Sequence, residues 1–431
     1  MKPTSEAKVA NLESRMAKSK PAVSTSGIHA DYGWRLHGRT VSVLKDRSFT
    51  LIAESRPAAM KMLAGCHVDT STLVACLQCG MCTASCNLAE EGSLFPRHEM
   101  TMVQLGQKDR LLADSNIWHC FNCSDCSSRC PSKARPGRIM AAIRQMAVEH
   151  YAFPNLIGRA INSPRALAMI LIVPALLILA AIAIGGSFTP QTSPVLYASM
   201  FPHLALNLFF SAFTAFAAMS MLISAGRIWH AFIGESLWKG DLLLLVRSFI
   251  TAVREILSHR KFSECEEFPL SRWAHMAIFY GFMTLFVLAG VVALLILFGA
   301  PYPLPAQHPL KIIGNLAGIL FLAGIGYFIV QRYRSSLNDD KSSWFDWAVL
   351  FNLLLVGVTG MLTEIFRYAD SAILAYPIYF FHLLFVLILF MSIPYSKLAH
   401  LVYRTVAMAA RSYETLVTEA LTHTTERKAV A

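Results

Sequence analysis

The fold of the amino-terminal part is decided by Cys76-Leu-Gln-Cys79-Gly-Met-Cys82-Thr-Ala-Ser-Cys86 and by its repeat, Cys120-Phe-Asn-Cys123-Ser-Asp-Cys126-Ser-Ser-Arg-Cys130-Pro131. Both runs follow the spacing C-x2-C-x2-C-x3-C, which is typical of domains that bind two [4Fe–4S] clusters. The first three thiolates of a run can wrap one cuboidal cluster. The fourth cysteine begins the following helix and reaches the other cluster.

The spacing therefore predicts two ligand sets that exchange their last members. The first set is Cys76, Cys79, Cys82 and Cys130. The second set is Cys120, Cys123, Cys126 and Cys86. Structural zinc is the alternative, but a zinc site needs only two C-x2-C pairs and would leave four of these cysteines without a role. A reducing compartment disfavours disulfides. We therefore predict a helical, ferredoxin-like domain with two [4Fe–4S] clusters over residues 51–150.

The composition of the chain is that of a membrane protein. Of its 431 residues, 55% are hydrophobic and 15% are charged, whereas soluble domains are nearer 25% charged. This excludes a disordered chain and disfavours a purely soluble enzyme. The net charge of +11 does not indicate nucleic acid as a partner, because the basic residues recur at the ends of apolar segments, as they do in membrane proteins.

Six apolar segments are long enough to cross a bilayer, which takes about 20 residues. They predict an all-α architecture, in which the iron–sulfur domain precedes a six-helix transmembrane cytochrome b bundle over residues 166–402, with membrane lipid around it. The predicted helices cover about 166–185, 203–226, 273–298, 310–331, 345–366 and 376–399.

The charges of the connections predict the orientation. Connections 227–272 and 332–344 are rich in Lys and Arg, whereas 186–202 and 299–309 contain neither. We call the first side the basic end of the bundle and the second the far end. Because basic connections stay in the cytoplasm, we expect a multi-pass protein of the cytoplasmic (inner) membrane, with the iron–sulfur domain and both termini in the cytoplasm.

The remaining segments complete the predicted domain organisation. Residues 1–50 lack the apolar stretch of a signal peptide and are expected to form a flexible arm. Residues 151–165 are expected to be a linker and residues 403–431 a cytoplasmic tail.

Histidines near the ends of the apolar segments predict haem. His382 and His400 lie 18 residues apart, about five turns of one helix, so they would share a face and ligate two stacked b-type haems. His275 lies at the depth of His400 and is paired with it across one haem. For His382 the predicted partner is His203, with His308 next. The alternative is that these histidines merely lie at the membrane interface.

A polar cluster at the end of the fifth helix predicts a further site. Glu364 and Arg367 lie where that helix reaches the far end. They are candidates for a quinone and proton site near a haem edge. The alternative is a simple (i, i+3) ion pair between them.

Several of these motifs resemble known families. The cysteine runs are similar to those of the C subunit of heterodisulfide reductases. The stretch from His382 to His400, with Pro394-Tyr-Ser-Lys397-Leu, resembles the last helix of the cytochrome b (gamma) subunit of respiratory nitrate reductases. Arg272-Trp-Ala-His275 resembles another helix of that protein, but position 285 is Leu where that family has a second histidine. Fusion of the two parts resembles the QmoC family, the membrane subunits of quinone-interacting membrane-bound oxidoreductases.

The resemblance implies electron transfer in dissimilatory sulfur metabolism (sulfate respiration). Its cofactors would be two [4Fe–4S] clusters and one or two haem b, with menaquinone or menaquinol as substrate. Its partners would be two soluble flavin and iron–sulfur subunits of the heterodisulfide reductase A type and, through them, adenylylsulfate (APS) reductase. The chain would carry the quinone site but no complete activity alone, and the direction of electron flow stays open.

Two other functions remain open at this point. The first is a heterodisulfide-reductase-type membrane subunit that uses another quinone-like carrier and a thiol/disulfide partner. The second is a membrane-anchored redox sensor, which would need an output domain that the sequence does not display.

Overall fold

The structure, a computed structural model, describes residues 33–36, 39–42, 57–63, 66, 70–89, 94–161, 166–234, 242–259, 270–337 and 344–430. Most of the predicted arm over residues 1–50 lies outside the described residues. Within it, strands β1 (Gly33–Leu36) and β2 (Arg39–Ser42) pair antiparallel. All other regular structure in the described residues is helical.

The chain divides into two compact units, Met1–Met146 and Ala147–Ala431. The first unit consists of short helices joined by the cysteine loops, and residues 57–63 are also helical. These helices are α1 (Ser71–Ala75), α2 (Met81–Ser85), α3 (Arg97–Gln104), α4 (Lys108–Leu112), α5 (Asn116–His119), α6 (Asp125–Ser128) and α7 (Pro136–Tyr151), which continues into the second unit.

An apolar core holds the helices of the first unit together. Helix α7 begins at Pro136, which suits the first turn of a helix because proline lacks an N–H. Ile139 and Ile143 are spaced one turn apart on the same face of α7 and are fully buried. Trp118 and Met100 are buried as well. The core thus fixes the helices between which the two cysteine loops run.

The second unit consists mainly of long apolar helices. They are α8 (Asn155–Ile161), α9 (Leu167–Gly185), α10 (Tyr197–Met200), α11 (His203–Ile233), α12 (Leu242–Ser258), α13 (Ser271–Leu297), α14 (Pro309–Leu337), α15 (Trp344–Tyr368), α16 (Ala372–Ser392) and α17 (His400–Val430).

Six of these helices are long and apolar enough to cross a membrane. They are α9, α11, α13, α14, α15 and α16, so the predicted all-α fold with six membrane helices is confirmed. Large apolar side chains such as Ile184, Leu204 and Phe298 lie exposed on their surfaces. In water this would be costly, whereas a bilayer surrounds these side chains with lipid.

Glycines allow a close contact between helices α13 and α14. Helix α13 packs along α14, and a Cβ on Gly324 would lie 2.6 Å from the carbonyl oxygen of Ala274. A Cβ on Gly281 would lie 3.0 Å from the carbonyl oxygen of Ala317. Small residues at such contacts let membrane helices approach closely, and here they bring α13, which carries His275, against its neighbour.

The last membrane helix ends earlier than predicted. Helix α16 stops at Ser392, two short 3-10 turns follow (Ile393–Tyr395 and Lys397–Ala399), and α17 begins at His400. Pro394 has no N–H to continue the helix. The prediction that His382 and His400 share one face of a continuous helix is therefore wrong. The predicted tail continues as α17 to residue 430.

Candidate functional site

The first cysteine run forms one wall of a cavity of about 320 Å³. Gln78 and Gly80 have positive φ, +56° and +82°, so the loop curls back on itself. Gly80 suits such a conformation because it has no side chain. The cysteines that line this cavity are Cys76, Cys79, Cys82 and Cys130.

The second run forms a similar cavity of about 380 Å³. Asn122 and Ser124 have positive φ here, +57° and +69°. The backbone N–H of Asn122 donates to Cys120 Sγ over 3.3 Å, a contact of the kind that tunes the potential of an iron–sulfur cluster. The cysteines that line this cavity are Cys86, Cys120, Cys123 and Cys126.

The structure thus brings the eight cysteines together in the two groups that their spacing predicts. Cys130 lies with the first run and Cys86 with the second. Cys86 takes this position although Asn87 follows it, where the second run has Pro131. Among the described residues, no three histidine, cysteine, aspartate or glutamate side chains converge closely enough for a single metal ion. Each cavity instead gathers four cysteines, the number of thiolates that a [4Fe–4S] cluster takes.

The electrostatics of the cavities favour a positively charged occupant. Burial raises the pKa of the Cys82 and Cys86 thiols to about 11. Burial also raises the pKa of Cys126, and the neighbouring Cys120 and Cys123 raise it further. Four thiolates in such a place repel one another and need positive charge between them. Iron supplies that charge and the coordination that thiolates favour, so both cavities fit a [4Fe–4S] cluster.

Two of the predicted histidines meet at the basic end of the membrane unit. The ring centroids of His275 and His400 are 6.4 Å apart. Two imidazoles that ligate one metal from opposite sides, each with a metal–nitrogen distance of about 2 Å, place their ring centroids about 6 Å apart. The spacing therefore fits the two axial ligands of one haem.

The 3-10 turns before α17 orient His400. Its Nδ1 contacts the carbonyl oxygen of Lys397 at 2.5 Å. Because a carbonyl only accepts hydrogen bonds, Nδ1 carries the proton and the lone pair of the neutral ring is on Nε2. Metal-bound histidines commonly donate their other N–H to a backbone carbonyl in this way.

A partly buried ion cluster fixes the same turn. Asp346, in the first turn of α15, pairs with Lys397 at 2.6 Å and with Arg332 at 2.9 Å. The ammonium of Lys397 is therefore anchored while its carbonyl binds His400. Asp346 thus acts on His400 through Lys397.

Midway along α16 (Ala372–Ser392), His382 contacts helix α15. Its Nδ1 lies 3.1 Å from Thr359 Oγ1. The Thr359 hydroxyl donates to the carbonyl of Leu355 over 2.5 Å, so it accepts from His382. Gly360 lies against the same ring, because a Cβ there would be 3.0 Å from His382 Cε1.

The predicted partners of His382 lie elsewhere. Within the described residues, no ring contact joins His382 to His203 or His308. The His203 ring packs edge-on against Tyr302 with the centroids 4.9 Å apart. His308 Nδ1 accepts from the N–H of Leu310 over 3.2 Å. The geometry thus brings two histidines together at the basic end, whereas neither predicted partner joins His382.

Glu364 does not pair with Arg367. It forms an ion pair with Lys311 at 3.1 Å and accepts from Asn315 over 3.3 Å. Helices α14 and α15 are therefore joined at the far end by Glu364, and the (i, i+3) pair that was the alternative to a quinone and proton site does not form.

Arg367 lies instead among tyrosines. Its guanidinium stands 4.6 Å from the ring centre of Tyr368. Burial raises the pKa of Tyr197 to about 12 and also raises the pKa of Tyr302, and the positive charge of Arg367 opposes both shifts. Arg367 Nη2 is buried and has no hydrogen-bond partner in the described part of the chain.

Sequence reasoning missed the residues that support these sites. Asp346, Lys311 and Asn315 stand alone in apolar segments, and an isolated polar residue inside a membrane helix is itself a functional signal. His259 lies after an amphipathic helix, and only the fold brings its ring to 5.3 Å from the ring of His275. The sequence contains no spacing that could have predicted this contact.

Comparison with known families addresses both units. A family model described as citrate utilization protein B matches residues 160–420, more than half of the chain. The chain belongs to the citrate utilization protein B family. A second model, described as a 4Fe-4S dicluster domain, matches residues 72–134. This match includes both cysteine runs, so the iron–sulfur domain of this citrate utilization protein B family member is confirmed.

Relatives of this family member occur among the heterodisulfide reductases. It is 34% identical over 91 residues to a protein of Archaeoglobus profundus that is described as like the C subunit of heterodisulfide reductase, covering 21% of the chain and 48% of the relative. It is 42% identical over 74 residues to the C subunit of the ferredoxin:CoB-CoM heterodisulfide reductase of Methanosarcina acetivorans, covering 17% of the chain and 29% of the relative.

A further relative is a different component of such a reductase. The E subunit of the dihydromethanophenazine:CoB–CoM heterodisulfide reductase of Methanosarcina barkeri is 28% identical over 196 residues, covering 42% of the chain and 72% of the relative. The chain thus spans less than half of the length of the two C-type relatives and 72% of the length of the E-type relative. No solved structure matches the chain significantly.

These relatives confirm the predicted likeness to the C subunit of heterodisulfide reductases. The likeness to the gamma subunit of nitrate reductases and to quinone-interacting oxidoreductases stays a prediction. The citrate utilization protein B family member is a multi-pass membrane protein with an iron–sulfur domain, and the function that these findings support is electron transfer.

Proposed function

We propose that the chain is the electron-transfer membrane subunit of a quinone-linked oxidoreductase. One observation carries the proposal: a single chain holds two four-cysteine cavities and, at the basic end of its membrane unit, two histidines whose ring centroids lie 6.4 Å apart. A quinone reacts in lipid and the partner enzymes are soluble. A chain with sites in both environments can connect them.

Each site would hold its group through the residues described above. The cysteines of each cavity would bind one [4Fe–4S] cluster, and His275 and His400 would be the axial ligands of haem b. When bound, these groups supply one-electron oxidation and reduction. His382 would ligate a second haem only if His203 or His308 reached its other side, so we propose one haem with a second as the open case.

The quinone site is proposed at the far end, around Arg367 and Glu364. A quinone head group presents two carbonyl oxygens and needs hydrogen-bond donors. Arg367 has only donors, and one of them is buried without a partner among the described residues. Tyr197 and Tyr302 would line the site. The Glu364 carboxylate, held by Lys311 and Asn315, would take the proton of a quinol.

The partners follow from the proposed resemblance. The carrier would be menaquinone, and the soluble partners would be two flavin and iron–sulfur subunits of the heterodisulfide reductase A type, delivering to or receiving from APS reductase. These partners would meet the cytoplasmic iron–sulfur domain. Cys79 is exposed and Leu77 beside it is 72% exposed, so the first cavity lies close to the surface that a soluble partner can reach.

Two observations favour other partners for the same site. The relatives among the C and E subunits of heterodisulfide reductases favour a thiol/disulfide partner and a quinone-like carrier. The family description favours a soluble oxidoreductase that acts in citrate utilization. All three alternatives keep the cysteine cavities and the histidine pair in the same role.

Purification of the full chain from native membranes under anoxia separates these alternatives. Flavin subunits of the A type together with APS reductase would support the first partner set. A thiol/disulfide reductase or a tricarboxylate oxidoreductase in their place would assign the second or third.

The quinone site is tested by the rate at which a menaquinol analogue reduces the purified chain. We expect Arg367→Gln to slow the reduction at least tenfold, because a shorter, neutral amide replaces the charged guanidinium that donates to the head group. Arg254→Gln changes an exposed arginine at the basic end and serves as the matched control. Equal rates in both variants would contradict a site at Arg367.

A further inference from the structure

His259 lies at the end of α12 and points to a role that the proposed function does not use. The residue is 8% exposed, and its ring stands against those of Phe279 and Tyr280, with centroid distances of 5.3 and 5.9 Å. Its backbone has φ +48°, a conformation that is unfavourable for residues other than glycine and persists only where the surroundings enforce it.

Two contacts place His259 in a chain of hydrogen bonds. Its Nδ1 lies 3.2 Å from the carbonyl oxygen of Leu257. Its Nε2 lies 3.3 Å from Nδ1 of His275. The hydroxyl of Tyr280 donates to the same Leu257 carbonyl over 2.6 Å, so this carbonyl is held in place from both sides.

The Leu257 carbonyl fixes which ring nitrogen carries the proton in His259 and in His275. Because the Leu257 oxygen can only accept, His259 Nδ1 carries a proton, and the lone pair of the neutral ring is on Nε2. That lone pair accepts from His275 Nδ1–H. The lone pair of His275 is then on Nε2, as it is in His400, whose Nδ1 donates to the Lys397 carbonyl.

We propose that His259 is a positioning residue that fixes the tautomer and orientation of His275 through this relay, so that His275 presents Nε2 as a ligand. The inference rests on the proposed function, because it concerns a histidine that would ligate haem. A hydrogen bond to the outer nitrogen of a ligating imidazole makes the ligand more basic, which stabilises oxidised iron. The relay therefore lowers the midpoint potential of the haem between His275 and His400.

Helix α12 supplies the relay from outside the membrane helices. It packs on α17, the helix that begins at His400, through Ala252, which is 1% exposed and contacts Met408 and Ala409. The same helix pair therefore carries His400 at one end and brings His259 to His275. Both candidate ligands are oriented from elements that follow or flank the membrane spans.

The test is a redox titration of the full chain, purified under anoxia, with haem counted per chain and low-spin haem signals recorded by electron paramagnetic resonance. Three variants are compared with the unmodified chain: His259→Phe, His259→Gln and His230→Phe. Phenylalanine cannot accept a hydrogen bond, whereas the amide oxygen of glutamine can. His230 is exposed and serves as the control.

We expect His259→Phe to shift the haem equilibrium about tenfold toward the reduced form, which is about 59 mV for a one-electron couple, or to weaken haem retention by roughly 10- to 100-fold. His259→Gln should restore most of the midpoint potential and of the haem retention of the unmodified chain. His230→Phe should change neither quantity.

Three results would overturn the relay. The first is that His259→Phe leaves both the midpoint potential and the haem content unchanged. The second is that His259→Gln changes these two quantities as much as His259→Phe does. His259 would then act by packing and not by accepting a hydrogen bond. Absence of haem from the unmodified chain would refute the proposed function first and the relay with it, and the haem count identifies this case separately.

Discussion

The histidines of the membrane unit differ in what their rings contact. At the basic end, His275 and His400 stand in ring contact, and each Nδ1 is bound by a group outside the pair. Midway along α16, His382 contacts Thr359 of α15, and at the far end His203 packs on Tyr302 instead. Two histidines therefore meet where neighbouring elements hold their rings, and a similar depth in the bundle does not by itself bring His203 to His382.

The largest effect is expected from removing one member of the pair. His400→Ala or His275→Ala should abolish one b-type haem signal and leave the iron–sulfur signals intact, because the cysteine cavities belong to another unit. Absorbance spectra with iron and haem counts measure this. His230→Ala is the control, and a full haem content in both ligand variants would refute the pairing.

The next effect concerns the ion clusters at the two ends. Asp346→Asn leaves two cations of a partly exposed cluster without their counter-ion, so we expect a loss of about 2–3 kcal/mol. Glu364→Gln leaves one cation, Lys311, without its counter-ion, so we expect about 1–2 kcal/mol. Thermal unfolding in detergent measures both, and equal losses would remove the distinction between the ends.

A smaller effect is expected at Gly360. Gly360→Ala places a Cβ 3.0 Å from His382 Cε1 and should cost roughly 1–3 kcal/mol through overpacking, without changing the haem between His275 and His400. Gly326→Ala is the matched control, because no atom lies within 4 Å of its Cβ position. Thermal unfolding measures the loss of stability in the two variants, and absorbance spectra measure the haem. A changed haem signal in Gly360→Ala would contradict the independence of His382 from the His275 and His400 site.

The smallest effect is expected at Thr359. Thr359→Val removes the acceptor for His382 Nδ1 while keeping the shape of the side chain, and should lower the free energy of unfolding by about 1 kcal/mol. Thr405→Val is a control, since its hydroxyl donates within its own helix, to Leu401. An equal loss in both variants would mean that the contact with His382 contributes nothing.

Local patterns predicted much of this molecule. The cysteine spacing grouped Cys130 with the first run and Cys86 with the second, because cluster binding constrains nearby residues. Apolar length predicted six helices, and the first was placed at about 166–185 where the structure has Leu167–Gly185. Matching membrane depth suggested His275 with His400.

Contacts between residues far apart in the chain could not be predicted from the sequence. Periodicity predicts one helix through His382 and His400, but Pro394 lacks the N–H that would continue it, and the helix ends at Ser392. The contact of His259 with His275 and that of Asp346 with Lys397 join different helices and turns, so no periodic pattern records them. The pairing of Glu364 with Lys311 needed knowledge of which helices adjoin.

One titration decides whether this chain carries electrons between a quinone and iron centres. The full chain, purified under strict anoxia with iron and haem supplied during synthesis, is treated with a menaquinol analogue while absorbance and electron paramagnetic resonance are recorded on the same sample. We predict about eight non-haem irons per chain, a b-type haem, and reduction of both kinds of centre. A colourless, iron-free protein, or one whose centres the quinol leaves oxidised, would contradict electron transfer by this route.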